Sequence, residues 1–379
     1  MAARAQSTPI KIGVLTDETG PYADSGGPGS ILAAQMAAAD FGGQVLGRPI
    51  EIVHADHQNK PDIAASIAHS WYEHEGVQAI TDLPVTAIGL VVQQIARERT
   101  KTALITAAAT SDITNKFCTP TVTHWADDTH ALTAGTAKAV IENGGKTWFF
   151  ITVDHAFGRA LQDETTKVVE AAGGRVLGAV RHPIGETDFS SLLLTAQSSG
   201  AQVIGLASVG GDLINAIKQA SEFGIQRKGV TLATFLQFIT DIHALGLPTT
   251  QGLTFTASFY WDQNDTSRAW AKRFIAARKL MPTKNHAAIT TSVTHFLKAM
   301  AQAGTDDALA VNKAMKAMPL SYFGCPATIR ADGRVLYDLT LYRVKTPAES
   351  TGAWDYYTAL RPIPSAEAFL PLNVAACGT

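Results

Sequence analysis

The side chains best suited to bind a small anion are hydroxyl residues at predicted junctions between a strand and a helix. Thr86 follows residues 82–85 and begins a predicted helix, and Thr110 and Ser111 follow the next predicted strand. A hydroxyl and the free N–H groups of a helix start can together hold a carboxylate, because that helix end carries partial positive charge. The alternative is that each hydroxyl only caps its own helix.

A glycine-rich loop near the N-terminus supplies a further junction of this kind. The apolar strand Ile10–Leu15 leads through Thr19-Gly20-Pro21 and the small residues 23–30 to an alanine-rich predicted helix, Ile31–Asp40. In an open α/β sheet, ligands sit beyond the carboxyl ends of the strands, where such loops meet. The sequence therefore predicts a cleft that holds a small acid.

No motif for catalysis, cofactor binding or metal binding is complete in this sequence. Residues 24–28 resemble the loop around a serine-protease nucleophile, but no histidine precedes them to act as a base. The nearest approach to a hydrolase elbow, residues 206–210, has Leu206 in place of the first glycine. The closest histidines, His54 and His57, point to opposite faces of a strand end. We expect no enzymatic activity, no cofactor and no metal.

Composition predicts a globular chain of two domains with no nucleic-acid footprint. The 379 residues include 31 basic and 33 acidic ones, which gives a formal net charge of −2. No apolar run reaches the roughly 18 residues of a transmembrane helix. Ala3-Arg4-Ala5 has the small-x-small form of a signal-peptidase site, so we interpret the first residues as the remainder of a removed export signal. A plain flexible N-terminus is the alternative.

Apolar strand-like runs alternate with helical patterns over the first two thirds of the chain. Such alternation predicts parallel sheets covered by helices on both faces, and therefore an α/β fold. The rhythm restarts after Trp125, which indicates two successive sheets. The predicted strands are Ile10–Leu15, Pro49–Ala55, Val77–Thr81 and Thr102–Thr106 in the first sheet, and Trp148–Val153, Arg175–Arg181 and Gln202–Ala207 in the second.

The pattern changes beyond Gly252. A strand rich in aromatic residues, Thr254–Trp261, comes before three predicted helices. Ala327–Val344 alternates apolar residues around the turn Asp332-Gly333, which predicts a hairpin. The proline-rich segment from Pro362 onward is predicted to be an extended tail. The three helices are expected at Ser267–Lys279, Ala288–Ala303 and Asp307–Met318.

Several short motifs recur in an order and spacing that is known from one family. They include Ile12-Gly13-Val14-Leu15 with Thr19-Gly20-Pro21, residues 46–51, Asp154-His155-Ala156-Phe157-Gly158, and Gln219-Ala220 before Gly224-Ile225. With these motifs, the chain resembles a type I periplasmic binding protein of the group that binds branched-chain amino acids for ABC transporters. The resemblance covers nearly the whole length.

The resemblance implies two flavodoxin-like, doubly wound lobes joined by three crossing strands. The N-terminal lobe would comprise residues 1–121 and 260–338, and the C-terminal lobe 122–259 and 339–361, with 362–379 as the tail. The crossings would lie near Thr121–Trp125, Ala257–Trp261 and Leu336–Leu341.

The resemblance also implies which residues contact the ligand. In the family, a hydroxyl at a helix start and the next loop of the first lobe hold the ligand's carboxylate, and an aromatic residue of the second lobe covers it. The positions that match are Thr86, Ala108 with Thr110 or Ser111, and Phe157, and the remaining expected contacts are Tyr22, Gly211, Gln237, Phe238 and Tyr260.

One departure from the family pattern bears on the ligand. Amino-acid receptors of this family place an acidic residue on a second-lobe loop to pair with the ligand's ammonium. The corresponding stretch, Leu232–Ile239, contains no acid and two aromatic residues, and Asp241 is expected to cap the following helix. Because a buried, unpaired ammonium is expensive, we predict an aromatic or apolar acid without an amine.

The function implied is that of a monomeric, non-catalytic solute receptor in the periplasm that delivers its ligand to an ABC permease. The alternatives are a receptor for branched-chain or other amino acids, and a ligand-sensing regulator on the same fold. Spacing does not decide how the cysteines pair, but the implied lobes place Cys118 beside a crossing to which Cys377 on the tail could return. That disulfide is predicted, with free thiols as the alternative.

Overall fold

The computed structural model describes residues 8–373. Its strands are β1 Ile10–Thr16, β2 Gln44–Val45, β3 Arg48–Asp56, β4 Val77–Asp82, β5 Thr102–Ile105, β6 Val122–His124, β7 Thr147–Val153, β8 Arg175–His182, β9 Val203–Ala207, β10 Thr231–Thr234, β11 Thr254–Ala257, β12 Leu320–Tyr322, β13 Cys325–Ile329, β14 Val335–Leu336, β15 Leu339–Val344 and β16 Tyr357–Ile363.

The helices cover both faces of the two larger sheets. They are α1 Gly27–Asp40, α2 Pro61–Glu73, α3 Thr86–Arg99, α4 Asp112–Asn115, α5 Thr129–Leu132, α6 Lys138–Glu142, α7 Ala156–Ala171, α8 Ser190–Ser198, α9 Gly211–Glu222, α10 Ile239–Leu245, α11 Leu247–Thr250, α12 Asp265–Arg278, α13 Lys284–Ala303, α14 Ala308–Ala317 and α15 Ser365–Ala368. A π-helical turn, Thr133–Ala137, joins α5 to α6.

Two parallel sheets form the body of the protein, as the alternating pattern predicts. The first has the order β2-β3-β1-β4-β5-β6, in which only β2 is antiparallel to its neighbour, and the second has the order β10-β9-β7-β8. Counted in chain order, the parallel strands run 2-1-3-4-5 and 2-1-3-4, which is the flavodoxin-like arrangement. The predicted fold class is confirmed.

The buried strands explain why these sheets are parallel and doubly covered. All residues of β4 except Gln78, and all residues of β9, are buried. A strand whose two faces are both apolar must be packed on both sides, which the crossover helices of a parallel sheet provide. Helix α1 begins at Gly27, earlier than the predicted Ile31, because Pro28 is well tolerated in the first turn of a helix.

The segment beyond Gly252 forms two small antiparallel sheets and the four helices α12 to α15. The order is β11-β15-β16 in one sheet and β12-β13-β14 in the other, and β13 and β14 flank the predicted turn at Asp332-Gly333. Strand β11 ends at Ala257 rather than at Trp261, because the N–H of Ser258 donates to Asp127 instead of a strand neighbour. After β16 the chain forms the short helix α15 rather than a uniformly extended tail.

A buried arginine ties the segment before β15 to the chain that leaves the first sheet. Arg334 is 1% exposed. Its guanidinium donates to the carbonyl of Ala126 at 2.7 Å, to His124 Nδ1 at 2.9 Å and to Asp128 Oδ2 at 3.3 Å. Asp128 also caps α5 by accepting from the N–H of Ala131. One buried side chain therefore links two segments that lie 208 residues apart in the chain.

We expect Arg334→Met to lower the free energy of unfolding by about 3–5 kcal/mol, because it leaves the buried carboxylate of Asp128 without its partner. Arg273→Met is the matched control. Its guanidinium pairs with Asp40 at 2.7 Å, but both side chains are about half exposed, so the loss should stay below about 1 kcal/mol. Equilibrium unfolding in guanidinium chloride measures both, and equal losses would contradict the assignment.

Candidate ligand-binding cleft

Loops from the two lobes enclose a chamber at the carboxyl ends of both parallel sheets. We call it the front chamber. The lining residues are Tyr22, Ser25, Pro84, Val85, Thr86, Ala107, Ala109 and Asn285 from the first lobe, and His155, Phe157, Val209, Leu236 and Phe238 from the second.

The position of the front chamber follows from the strand order. In each sheet the order reverses beside the first strand, between β1 and β4 in one lobe and between β7 and β9 in the other. At such a point the loops of adjacent strands lead to opposite faces and leave a crevice. The chamber is lined by the loops that follow β1, β4, β7 and β9, so the two crevices face each other.

Thr86 is the first residue of α3 and lines the front chamber. The residue before the helix is Val85, and no side chain caps this helix start. The Thr86 side chain is 2% exposed, and its Oγ1 has no hydrogen-bond partner. The hydroxyl therefore does not cap its helix. It lies beside the N–H groups of a 14-residue helix start, where an anion is favoured.

Three aromatic side chains predicted to contact the ligand, Tyr22, Phe157 and Phe238, line this chamber. The loop of Tyr22 is organised by Asp17, whose carboxylate accepts from the N–H groups of Gly20 and Tyr22 at 2.8 and 2.9 Å. The Tyr22 hydroxyl is buried without a partner, and burial raises the pKa of this phenol. Tyr22 therefore offers a neutral O–H to the chamber.

His155 is a chamber residue that sequence reasoning missed. It stands immediately before α7, and neither ring nitrogen has a hydrogen-bond partner. Burial lowers the pKa of this imidazole to about 4, so the ring is neutral at neutral pH and carries one N–H donor. The family motif at residues 154–158 contains His155 and could have indicated it, but only Phe157 of that motif is among the predicted ligand contacts. Ser25 and Asn285 were missed as well, because nothing in the sequence places α13 beside the first loop.

Four other predicted contact residues are adjacent to the front chamber and do not line it. Ala107 and Ala109 line the chamber in place of Ala108, whose carbonyl accepts from His124 Nε2 at 2.7 Å. The Thr110 hydroxyl accepts from the N–H of Asp112 at 3.3 Å, as a residue at a helix start does.

The other two, Ser111 and Gly211, make hydrogen bonds between the lobes. The Ser111 hydroxyl donates to Oε1 of Glu164 on α7 at 2.8 Å. The N–H of Gly211, at the start of α9, donates to the carbonyl of Pro21 at 3.4 Å. A ligand role for Ser111 and Gly211 stays a prediction, and the bonds that they make here join the two halves of the cleft.

Gln237 and Tyr260 line a second, smaller chamber, together with Phe238. We call it the back chamber. Phe238 contributes to both chambers. The other residues that line the back chamber are Ile239, Phe255, Ala257, Phe259, Trp261, Pro282, Thr283, Lys284 and Tyr357.

Asp241 caps α10, as the sequence predicts. Its Oδ2 accepts from the N–H of Phe238 at 2.9 Å and from Nε2 of Gln237 at 3.2 Å. Burial raises the pKa of this carboxyl to about 7. Asp241 is not among the residues that line the front chamber.

The structure describes only part of what the cysteine prediction concerns. Cys325 is free and exposed, whereas Cys377 lies outside the described residues, so its pairing with Cys118 stays a prediction. Within residues 8–373, no group of three histidine, cysteine or acidic side chains could hold a metal ion. No helix in that range is long and apolar enough to cross a membrane.

Two solved structures resemble the chain closely over nearly its full length. A periplasmic binding protein from Burkholderia mallei is 49% identical, with a TM-score of 0.93 and 96% of each chain covered. A periplasmic ligand-binding protein of a branched-chain amino acid ABC transporter from Burkholderia xenovorans LB400 is 37% identical, with a TM-score of 0.85 and coverage of 96% of this chain and 97% of that one.

The more distant matches include one solved structure with the same fold and one curated relative. An ABC-transporter solute-binding protein from R. palustris, solved in complex with benzoate, is 20% identical with a TM-score of 0.84, and 94% of this chain and 97% of that one are covered. A curated Leu/Ile/Val-binding protein homolog 6 from Brucella melitensis is 26% identical over 249 residues, which is 65% of this chain. The match spans 63% of that relative's length.

The family model for periplasmic binding proteins matches residues 9–353, which includes both parallel sheets and the loops that line the two chambers. The chain therefore belongs to the periplasmic binding protein family.

Proposed function

We propose that this chain is the extracytoplasmic solute receptor of an ABC importer and that it binds a small carboxylic acid without an amine between its lobes. Family membership and the ABC-transporter relatives support the receptor role. The observation that carries the ligand class is the wall of the front chamber. It presents the unpartnered hydroxyl of Thr86 at a helix start, and none of its lining residues is an aspartate, glutamate, lysine or arginine.

The carboxylate end of the ligand would lie against Thr86. The hydroxyl and the first N–H groups of α3 are donors that need no rearrangement, and His155 supplies a third, neutral donor from the other lobe. Hydrogen bonds to a charged group contribute about 1.5–3 kcal/mol each. Three such donors can replace the hydration of a carboxylate without a basic side chain.

The body of the ligand would lie among the aromatic walls. Tyr22, Phe157 and Phe238 provide ring faces and edges on both sides of the cleft, and Val209 and Leu236 complete the apolar surface. The complex of the R. palustris protein with benzoate is consistent with an aryl carboxylate, although that protein shares only the fold with this chain.

The absence of a carboxylate from the lining residues argues against an amino acid. A buried ammonium needs an anionic partner, and the nearby carboxyls of Asp241 and Asp82 are placed elsewhere. Asp241 caps α10, and Asp82 is fully buried beneath the loop that leads to α3. The relatives named for branched-chain amino acids favour the alternative ligand class, which the screen below tests.

Closure of the cleft would couple ligand binding to transport. The bonds from Ser111 to Glu164 and from Gly211 to Pro21 form only when the lobes approach each other. A ligand that contacts both lobes has a higher affinity for the closed form and therefore shifts the population toward it. The closed monomer then presents both lobes to the permease, and no chemical step is performed.

The first test is a thermal-shift screen of carboxylic acids with and without an α-amine. We expect benzoates and arylalkanoates to raise the melting temperature, because they bind the native state, and leucine and valine to leave it unchanged. Isothermal titration of the best compounds gives their affinities. Stabilisation by leucine or valine alone would overturn the proposed ligand class.

The second test concerns the hydroxyl of Thr86. Thr86→Val removes it with little change of shape and should weaken an aryl carboxylate by about 1.5–3 kcal/mol, because a hydrogen bond to an anion is lost. Thr86→Ser keeps the hydroxyl and should bind nearly as tightly as the unaltered chain. Equal affinities of the two variants would show that the hydroxyl is not used.

The third test concerns closure. A Cβ at Gly210 would lie 2.6 Å from the carbonyl oxygen of Pro21, whereas a Cβ at Gly211 would meet nothing closer than 3.9 Å. Gly210→Ala should therefore oppose the closed form and lower ligand affinity at least tenfold, while Gly211→Ala should have little effect. The left-handed φ of 62° at Gly210 strains alanine in open and closed forms alike, so affinity and small-angle scattering with ligand are the relevant measurements. Normal closure of Gly210→Ala would contradict the prediction.

A further inference from the structure

Two of the residues that line the back chamber carry a buried polar atom without a hydrogen-bond partner. They are Gln237, through Oε1, and Tyr357, through its hydroxyl. The two residues are 1% and 6% exposed, respectively. Buried polar atoms are nearly always hydrogen-bonded, so two of them around one small chamber indicate an occupant that satisfies them. Lys284 lines the same chamber, and its ammonium is paired with Asp127.

Gln237 and Lys284 are held in place by contacts outside the back chamber. Gln237 donates through Nε2 to Asp241, which leaves its oxygen free to accept from an occupant. Lys284 Nζ lies 3.0 Å from Oδ2 of Asp127, and that carboxylate also accepts from the Tyr337 hydroxyl at 3.1 Å. The side chains of Gln237 and Lys284 are therefore positioned before any ligand arrives.

The charges around the back chamber favour a neutral occupant. The ammonium of Lys284 is balanced by Asp127, and a second carboxyl, that of Asp241, lies behind Gln237. An anionic group in the chamber would face both acids, and a cationic group would face Lys284. A hydroxyl fits all three side chains, because it can donate its one proton to Oε1 of Gln237 and accept from the Lys284 ammonium and the Tyr357 hydroxyl.

The back chamber adjoins the proposed ligand site. Phe238 lines both chambers, and Gln237, which precedes it in the chain, lines the back chamber. In the same way, Lys284 lines the back chamber and the next residue, Asn285, lines the front chamber. A ligand whose carboxylate lies at Thr86 therefore has a polar compartment beside its aromatic wall.

We propose that the back chamber binds a neutral hydroxyl group of the solute, so that the preferred ligands are hydroxyl-bearing aryl carboxylates. This inference rests on the proposed function. The hydroxyl would contact Gln237 of the second lobe, Lys284 of a first-lobe helix and Tyr357 of the sheet between them. Because one group then joins three separate parts of the molecule, it contributes to the closed form in particular.

Isothermal titration with 3- and 4-hydroxybenzoate, their methyl isosteres and benzoate tests this inference. We expect at least one hydroxybenzoate to bind tenfold or more tightly than the corresponding methylbenzoate. Tyr357→Phe and Gln237→Leu should each weaken that hydroxybenzoate about tenfold more than they weaken benzoate. Tyr356→Phe is the matched control, because its hydroxyl bonds His243 outside the chamber, and it should change neither affinity.

Two results would overturn the inference and leave the proposed function standing. One is equal binding of hydroxybenzoates and methylbenzoates, which would mean that the chamber holds only water or packing contacts. The other is an equal loss for benzoate and hydroxybenzoate in the variants, which would indicate a structural role for Gln237 and Tyr357. Failure of all the benzoates together with binding of leucine would overturn the proposed function itself.

Discussion

A carboxylate that leaves water must find hydrogen bonds that are already oriented, and the cleft of this protein depends on that requirement. The start of α3 supplies them from backbone N–H groups, and the Thr86 hydroxyl adds one donor that makes no other bond. A basic side chain could neutralise the same anion, but it would also need an acidic partner when the cleft closes without ligand. Neutral donors avoid that cost, so the front chamber can be apolar elsewhere.

The scaffold positions these donors through a few strained or buried local features. Asp82 and Leu83 both have positive φ values, 79° and 64°, which turn the chain sharply from β4 toward α3. On the neighbouring loop, Asp17 gathers the backbone N–H groups of Gly20 and Tyr22 and so fixes the tyrosine at the chamber. Positive φ at a residue other than glycine is uncommon, and its occurrence beside a binding site is consistent with a functional constraint.

The sequence predicted the parallel sheets and part of the site because those features have local signals. Strand periodicity located both sheets, and helix-start chemistry together with a family motif pointed to Thr86 and Phe157, which line the front chamber. The rest depends on contacts between distant segments. Nothing local shows that Ser111 bonds Glu164, 53 residues away, or that α13 brings Asn285 to the first loop. Likewise, no local pattern shows that Phe238 lines both chambers, because the chambers form only where distant segments of the chain meet.

Selectivity and closure follow from the same distribution of polar atoms. The unpartnered polar side-chain atoms of the two chambers sit on different segments: the loop after β1, the start of α3, the loop before α7, the loop after β10 and strand β16. A carboxylic acid that contacts the donors of a single lobe has no preference for the closed form, because it makes the same contacts in the open and the closed states. Groups placed across the cleft gain that preference, so the chemistry that selects the solute is also the chemistry that closes the lobes around it.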